Sequence, residues 1–407
     1  MFTSERRKCG LRLDETRIVA AAKLGGVRYA RNPGAKLLFV INSLAGGGAE
    51  RVFSVLVDRM AARLGPDALE VVLLDAEARR YKLPEAVSVA CLDARGAMSA
   101  SMLGLAKMVA AKRPKLIVSF LTRANCAAIA AGRLSSVPCV ISERVHTTRH
   151  FAAEGAISAG RMAVRLLYPR ANAIIAVSEG VQGDLLERYG VARHKVSTIH
   201  NPVDGDAIRR LGSLAPDIST PHDYVVAVGR LTANKNFSLL IEAFARAKLA
   251  GSLVILGEGP ERDRLAALAD QMGLAGRFML PGYLNNPYPI VARAKAFISS
   301  SNAEGFPNAL IEAMSLGVPV IATDCESGPA EILGREGDAT VTQVSDAAWG
   351  WLTPPNGLHE MTAAIRGLND AEQCARYATL GRKRADHFSV DASIDQYQAI
   401  FDAHAPA

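Results

Sequence analysis

Two glutamates eight residues apart, Glu304 and Glu312, lie in the stretch 299–319, which reads SSSNAEGFPNALIEAMSLGVP. Glu304 sits in a Ser/Asn/Gly-flanked turn directly after the apolar run Ala296-Phe297-Ile298, and Glu312 sits on a helix that starts beyond Pro307. In one continuous helix, at about 100° per residue, they would point roughly 80° apart, so they are not a simple stacked pair. Gly305 and Pro307 break the turn instead, which puts Glu304 at a crevice mouth while Glu312 approaches from the helix. Between them lie the free N–H groups of a helix N-terminus, which attract phosphate. Carboxylates able to grip sugar hydroxyls beside a phosphate-attracting helix end suggest a nucleotide-sugar site.

Two other segments carry compatible chemistry. Val228-Gly-Arg-Leu-Thr-Ala-Asn-Lys235 releases Arg230 from the end of a strand, and Lys235 follows across a polar turn. Both cations can reach one diphosphate and neutralise a departing nucleoside diphosphate without a metal; as a lone motif they read equally as surface cations. Asn42-Ser-Leu-Ala-Gly-Gly-Gly-Ala-Glu-Arg51 places three glycines between a strand and a helix, so the backbone can approach anionic oxygens. The spacing is not GxGxxG, and an ordinary tight turn explains it as well. Gly-bounded turns at Gly257-Glu-Gly-Pro260 and Pro281-Gly-Tyr283 fit the wall of a nucleoside pocket or plain loop chemistry.

Short apolar runs that alternate with helix-length segments must position these groups. One series is Lys36–Ile41, Glu70–Leu74, Val87–Cys91, Leu116–Phe120, Pro138–Ile141 and Ala173–Val177. A second is Tyr224–Val228, Ser252–Leu256, Arg277–Leu280, Ala296–Ile298 and Val318–Ile321. The alternation predicts buried parallel strands with crossover helices, an α/β class. With 407 residues, two domains of roughly 150–200 residues each are expected. The division is a basic N-terminal extension (1–35), an acceptor-side Rossmann-like domain (36–203), a turn-rich linker (204–222), a nucleotide-sugar-binding Rossmann-like domain (223–385) and a C-terminal helix (386–407). Two doubly wound domains would face each other across a deep cleft, with ligands at the C-terminal ends of the strands.

Bulk properties exclude several classes. The chain is 49% hydrophobic and 21% charged, and no apolar run approaches the ~18–20 residues of a membrane-spanning helix. Six cysteines, at 9, 91, 126, 139, 325 and 374, lack metal-ligand spacing and read as buried thiols of a reducing compartment, so a cytoplasmic enzyme is expected. The net charge of +7 is concentrated: residues 1–36 hold nine Lys/Arg against three acids, +6, leaving +1 for the remainder. With only 6% aromatics and no basic stripe, nucleic acid is not an expected partner. The head is no secretory signal, because Asp14, Glu15, Arg17 and Lys23 crowd its apolar run.

Taken together, these residues resemble the GT-B glycosyltransferases, specifically the retaining family numbered 4 (glycosyl transferases group 1). The matching pieces are Gly-Gly-Ala-Glu-Arg at 47–51, Asn201-Pro-Val-Asp, Gly-Arg-Leu-x-x-x-Lys at 229–235, Gly257-Glu-Gly-Pro and Glu304-Gly-Phe-Pro-Asn-Ala-Leu-Ile-Glu312. Singly weak, five in the right order are specific, and they span roughly residues 36–385. The resemblance implies that Arg230 and Lys235 hold the donor diphosphate and that Glu312 binds the ribose. It implies that Glu304 contacts the donor sugar, with Gly305, Phe306 and Asn308 assisting, and that Gly47 and Gly48 face the phosphates across the cleft. It further implies transfer with retention, usually without metal, from a nucleotide sugar, here with a UDP-sugar favoured.

Two positions depart from the family's pattern. Asn236 follows the lysine where glycine is frequent, and the first-domain histidine expected near the donor sugar has only His146 as a candidate, beside Glu143 and Arg144. The Ser-Glu-Arg sequence at 142–144 and Ser327-Gly-Pro-Ala-Glu331 look like a subgroup acting on lipid-diphosphate-linked sugars. A glycolipid or polysaccharide precursor is therefore the expected acceptor. Cations at Lys107, Lys112, Arg113 and Lys115, and at Arg144, Arg149, Arg161, Arg165 and Arg170, with the apolar segment Ser158–Tyr168, suit an anionic membrane surface. An epimerase or phosphorylase of the same architecture, or a non-catalytic nucleotide-sugar-binding protein, are the alternatives.

Overall fold

The computed structural model describes residues 37–152, 159–335 and 340–406; the basic extension lies outside them. The first sheet contains β1 (Leu37–Ile41), β2 (Leu69–Leu73), β3 (Ser88–Cys91), β4 (Leu116–Phe120), β5 (Cys139–Glu143), β6 (Ala173–Ala176) and β7 (Val196–Thr198). Its order is β3-β2-β1-β4-β5-β6-β7, and every pairing is parallel. Strands such as Leu37–Ile41 are buried along their whole length, because helices cover both faces of a parallel sheet.

The second sheet contains β8 (Tyr224–Val228), β9 (Ser252–Leu256), β10 (Phe278–Gly282), β11 (Ala296–Ser299), β12 (Val320–Thr323), β13 (Ser345–Ala347) and β14 (Gly350–Thr353). Its order is β10-β9-β8-β11-β12-β14-β13, with only β13 antiparallel to its neighbour. Each sheet reverses its winding at one place, between β1 and β4 and between β8 and β11. Such switch points open a crevice above the strand ends. The loops after β1, β8 and β11 carry the glycines, the two cations and Glu304 respectively. The doubly wound topology thus converges the chemistry.

The segment 204–222, read as a turn-rich linker, contains one helix. Gly205–Gly212 is a helix whose N-terminus is capped by Asp204, which accepts from the Ala207 amide at 2.9 Å. It buries Ile208 and packs against the second-domain helices Tyr288–Val291 and Asn308–Ser315. Three short strands, β7, β13 and β14, were also absent from the sequence reading.

The last helix, Val390–His404, buries Ile394, Tyr397 and Phe401 against the first sheet. Phe401 meets Phe39 edge-on at 6.0 Å, and Tyr397 stacks near Phe120 at 6.2 Å. Each such side chain contributes about 1.5–3 kcal/mol of apolar burial. A parallel bridge between Val203 and Ser389, with the Val203 amide donating to the Phe388 carbonyl at 2.7 Å, stitches the two interdomain crossings together.

Candidate active site

Lys235 and Glu304 come together at the switch point of the second sheet. Lys235 Nζ lies 2.5 Å from Glu304 Oε1, and both side chains are mostly shielded from water. Ser300 Oγ donates to the Lys235 carbonyl at 2.8 Å, and Ser327 Oγ donates to the Glu304 carbonyl, so both backbones are held. Asn236 has φ 47°, in the left-handed region, and Nδ2 donates to Asn302 at 3.1 Å and to Asn356 at 2.9 Å. That conformation explains why glycine or asparagine suits the position after the lysine. Arg230 is exposed and faces Glu50 of the first domain electrostatically.

The first domain meets this site through the helix Gly48–Leu64. Asn308 Nδ2 donates to the Gly48 carbonyl at 3.4 Å, and a Cβ on Gly48 would come within 2.9 Å of that nitrogen. The Tyr81 phenol sits near enough to Gly47, Glu50 and Arg51 to feel all three. Burial pushes the Tyr81 phenol up, and it pushes the Glu50 carboxyl up against the pull of its own backbone N–H and of Arg230. The helix end that the resemblance offers to phosphate is therefore lined by a hydroxyl and a carboxylate of the chain itself.

Glu312 is on the second turn of the helix Asn308–Ser315 and is largely buried. Its Oε1 lies 2.5 Å from Nη2 of Arg51, whose Nη1 donates to Tyr288 Oη at 2.8 Å. Sequence reading quoted Arg51 within Gly-Gly-Ala-Glu-Arg but gave it no role, and it missed Tyr288. Arg80 lies over the Tyr283 ring at 4.4 Å, another cross-domain contact.

Gly305, Phe306 and Asn308 form the floor between the domains. A Cβ on Gly305 would fall inside van der Waals contact of the Arg144 carbonyl oxygen, so glycine permits the approach. Phe306 is buried and stacks on His200 at 4.7 Å. Asn201, from the Asn-Pro-Val-Asp segment, donates through Nδ2 to the Phe306 carbonyl at 3.1 Å and to Asn308 Oδ1 at 2.6 Å. Asn201 is a second residue whose role the sequence alone hid.

The three first-domain candidates have other partners. Glu143 is fully buried; it accepts from the Tyr168 hydroxyl and from the Arg144 amide, and burial pushes its carboxyl up. Arg144 is buried too, donating to Asn201, to Ser142 Oγ at 3.2 Å and to Tyr397 Oη at 2.9 Å. These two residues tie the floor between the domains to Tyr168 and to the last helix. His146 Nε2 lies 3.1 Å from Glu326 of the second domain, which Arg149 also engages. The Arg149 hydrogen bond, against burial and with His146 adding, holds the Glu326 carboxyl below the usual range.

Known proteins share both halves of this arrangement. The family described as glycosyl transferases group 1 matches residues 215–384, and the one described as glycosyltransferase family 4 matches residues 46–207. The chain is 30% identical, over 76% of its length and 87% of the relative's, to the N-acetylgalactosamine-N,N'-diacetylbacillosaminyl-diphospho-undecaprenol 4-alpha-N-acetylgalactosaminyltransferase of Campylobacter jejuni. The crystal structure of Anabaena HepE in complex with UDP superposes with a TM-score of 0.71 at 21% identity, covering 90% of this chain and 100% of that one. Sucrose-phosphate synthase from Thermosynechococcus elongatus gives 0.72 at 18% identity, covering 90% and 100%. With its two doubly wound domains and facing switch points, this chain belongs to the group 1, family 4 glycosyltransferases of GT-B fold.

Proposed function

We propose that the chain transfers a sugar from a nucleoside diphosphate sugar, with UDP-sugars favoured, onto a lipid-linked or polysaccharide precursor with retention of configuration. The observation that carries the reading is the Lys235–Glu304 pair at the ends of adjacent β8 and β11. Lys235 and Arg230 neutralise the leaving diphosphate, Glu304 holds hydroxyls of the transferred sugar, and Glu312 holds the ribose. Gly47 and Gly48 line the phosphates, and the amides at Gly305, Phe306 and Asn308 complete the donor contacts. In a front-face displacement, the bond from the anomeric carbon to the diphosphate oxygen breaks as the acceptor oxygen bonds on the same face. The acceptor's proton passes to the released diphosphate, which leaves with the bonding electron pair. The two cations supply the charge that a divalent ion would otherwise bring, so turnover is expected to persist in a chelator. The named substrate of the Campylobacter jejuni relative and the UDP bound to Anabaena HepE favour this donor and acceptor.

The acceptor's lipid implies a membrane-facing side, and three first-domain helices suit it. Met98–Lys112, Thr122–Ser135 and Ala159–Leu167 contain no Asp or Glu. They pack side by side and expose Leu103, Leu134, Met162 and Leu166 among the cations Lys107, Arg133 and Arg165. Lys112, Arg144 and Arg149 are engaged within the protein by Glu70, Asn201 and Glu326 and are not available for headgroups. Among the described residues no helix is long and apolar enough to cross a membrane, so docking would be peripheral. Co-sedimentation with vesicles containing anionic lipid, but not with neutral vesicles, is expected; equal binding to both would remove this part. For the transfer itself, saturation-transfer NMR against UDP-, GDP- and ADP-sugars tests the donor. No saturation from any of them would sink the reading.

A further inference from the structure

The charge pattern at the start of the helix Gly48–Leu64 is complementary to the opposite wall of the cleft. Glu50 and Arg51 are adjacent and opposite in sign. Arg51 is paired with Glu312 of the second domain, while Glu50 feels the positive charge of Arg230 without a direct ion pair. Complementary charges at an interface fix register more than they add affinity. Burial works against the charge on Arg51, but Glu312 outweighs it and holds the guanidinium above its ordinary value.

That pairing also sets how Glu312 points. Its Oε1 lies 2.5 Å from Nη2 of Arg51, which is itself anchored through Nη1 to the Tyr288 hydroxyl at 2.8 Å. A carboxylate has about four lone-pair sites, so with Arg51 on one of them there is room for two more donors. The vicinal 2′- and 3′-hydroxyls of a ribose are two such donors. A glutamate left unpaired would lose rotamer freedom on binding them, a cost that a pre-set side chain avoids.

We propose that Arg51 is a positioning residue for ribose recognition: it reaches across from the opposite domain and orients Glu312, so that the ribose subsite is complete only when the domains meet. This rests on the assignment of Glu312 to the ribose made above. It makes discrimination of ribose a property of the closed cleft and not of the second domain alone.

The test is calorimetric binding of UDP and 2′-deoxy-UDP to the wild-type chain and to Arg51→Ala, Arg51→Lys and Glu312→Ala; the GDP pair replaces them if the donor screen selects guanine. The wild type is expected to prefer the ribonucleotide by about tenfold, the scale of one hydrogen bond. Arg51→Ala should bring that ratio close to the value in Glu312→Ala, with Arg51→Lys between, while thermal melting confirms that each variant folds. An Arg51→Ala variant that binds both nucleotides more weakly at an unchanged ratio would show that Arg51 only bridges the domains. Tighter UDP binding by that variant would show that Arg51 competes with the ribose. Either result overturns the proposal. A wild type that binds UDP without preferring it overturns the proposal but leaves sugar transfer standing; failure to bind any nucleoside diphosphate removes both.

Discussion

Lys235 and Glu304, 69 residues apart in the chain, are 2.5 Å apart at the ends of neighbouring strands of the second sheet. Neither is isolated: the Lys235 carbonyl is tied to Ser300 and the Glu304 carbonyl to Ser327. The cation proposed for the diphosphate and the carboxylate proposed for the sugar thus orient each other before any donor arrives. When the donor binds, Lys235 must be shared between Glu304 and phosphate oxygens, and this sharing makes the two side chains separable by mutation.

Lys235→Ala is expected to weaken donor diphosphate binding by ~1.5–3 kcal/mol, the scale of a charge-assisted hydrogen bond. That corresponds to roughly 10–150-fold in Kd. Titration with UDP and with the UDP-sugar checks it. Unchanged binding and turnover would take Lys235 out of the site.

Glu304→Ala should behave differently. Removing the carboxylate frees Lys235 for the diphosphate, so affinity for the nucleoside diphosphate is expected to be unchanged or tighter while sugar transfer is abolished. The comparison needs steady-state turnover beside binding of the product nucleotide. A parallel loss of both would point to collapse of the loop.

How much of this was legible beforehand follows from which contacts are local. Strands with unbroken apolar runs, such as Leu116–Phe120 and Ser252–Leu256, were readable because both faces of a parallel sheet are buried. Val196–Thr198 and Ser345–Ala347 are edge strands of three residues with polar or small side chains, and they carry no such run. The helix Gly205–Gly212 hid among turn residues because its partners, Tyr288–Val291 and Asn308–Ser315, lie far along the chain. Glu304, Lys235 and Arg230 stood out through motif spacing. The link from Arg51 to Tyr288 joins residues 237 apart across two domains, and no periodicity encodes such a contact. The partners of Glu143 and Arg144 were equally hidden: charged residues at a strand end carry no sign in the sequence that Tyr168, Asn201 and Tyr397 engage them inside.

Gly305→Ala tests whether the interdomain floor is tight in solution. The added methyl would meet the Arg144 carbonyl, with Val177 Cγ1 at 3.2 Å behind it. Overpacking of this kind costs about 1–3 kcal/mol. Because the clash lies between domains, opening relieves it at less cost than unfolding does. A larger radius of gyration in solution scattering and reduced transfer are expected, with a melting temperature close to wild type. A lowered melting temperature at unchanged radius would mean that the strain is absorbed within one domain.

Glu143→Gln carries a pH signature. Burial raises the Glu143 carboxyl above its ordinary 4.5, although the Tyr168 hydroxyl and the Arg144 and Val145 amides pull the other way. Between 4.5 and that raised value the folded chain binds more protons at this site than the unfolded chain does. Stability contributed by the protonated form is therefore full below 4.5 and is lost as pH rises through the folded pKa. Glutamine keeps an acceptor for Tyr168 and the amides but has no proton to lose. The variant should match the wild type near pH 4.5 and become the more stable of the two as pH rises toward 8, measured by urea unfolding at a series of pH values. A wild type that gains on the variant with rising pH would mean that the three donors outweigh burial and that Glu143 is held as an anion. In that case the same carboxylate would lie as a fixed negative charge beneath Arg144, at the floor where Asn201 carries the contact on to Phe306 and Asn308.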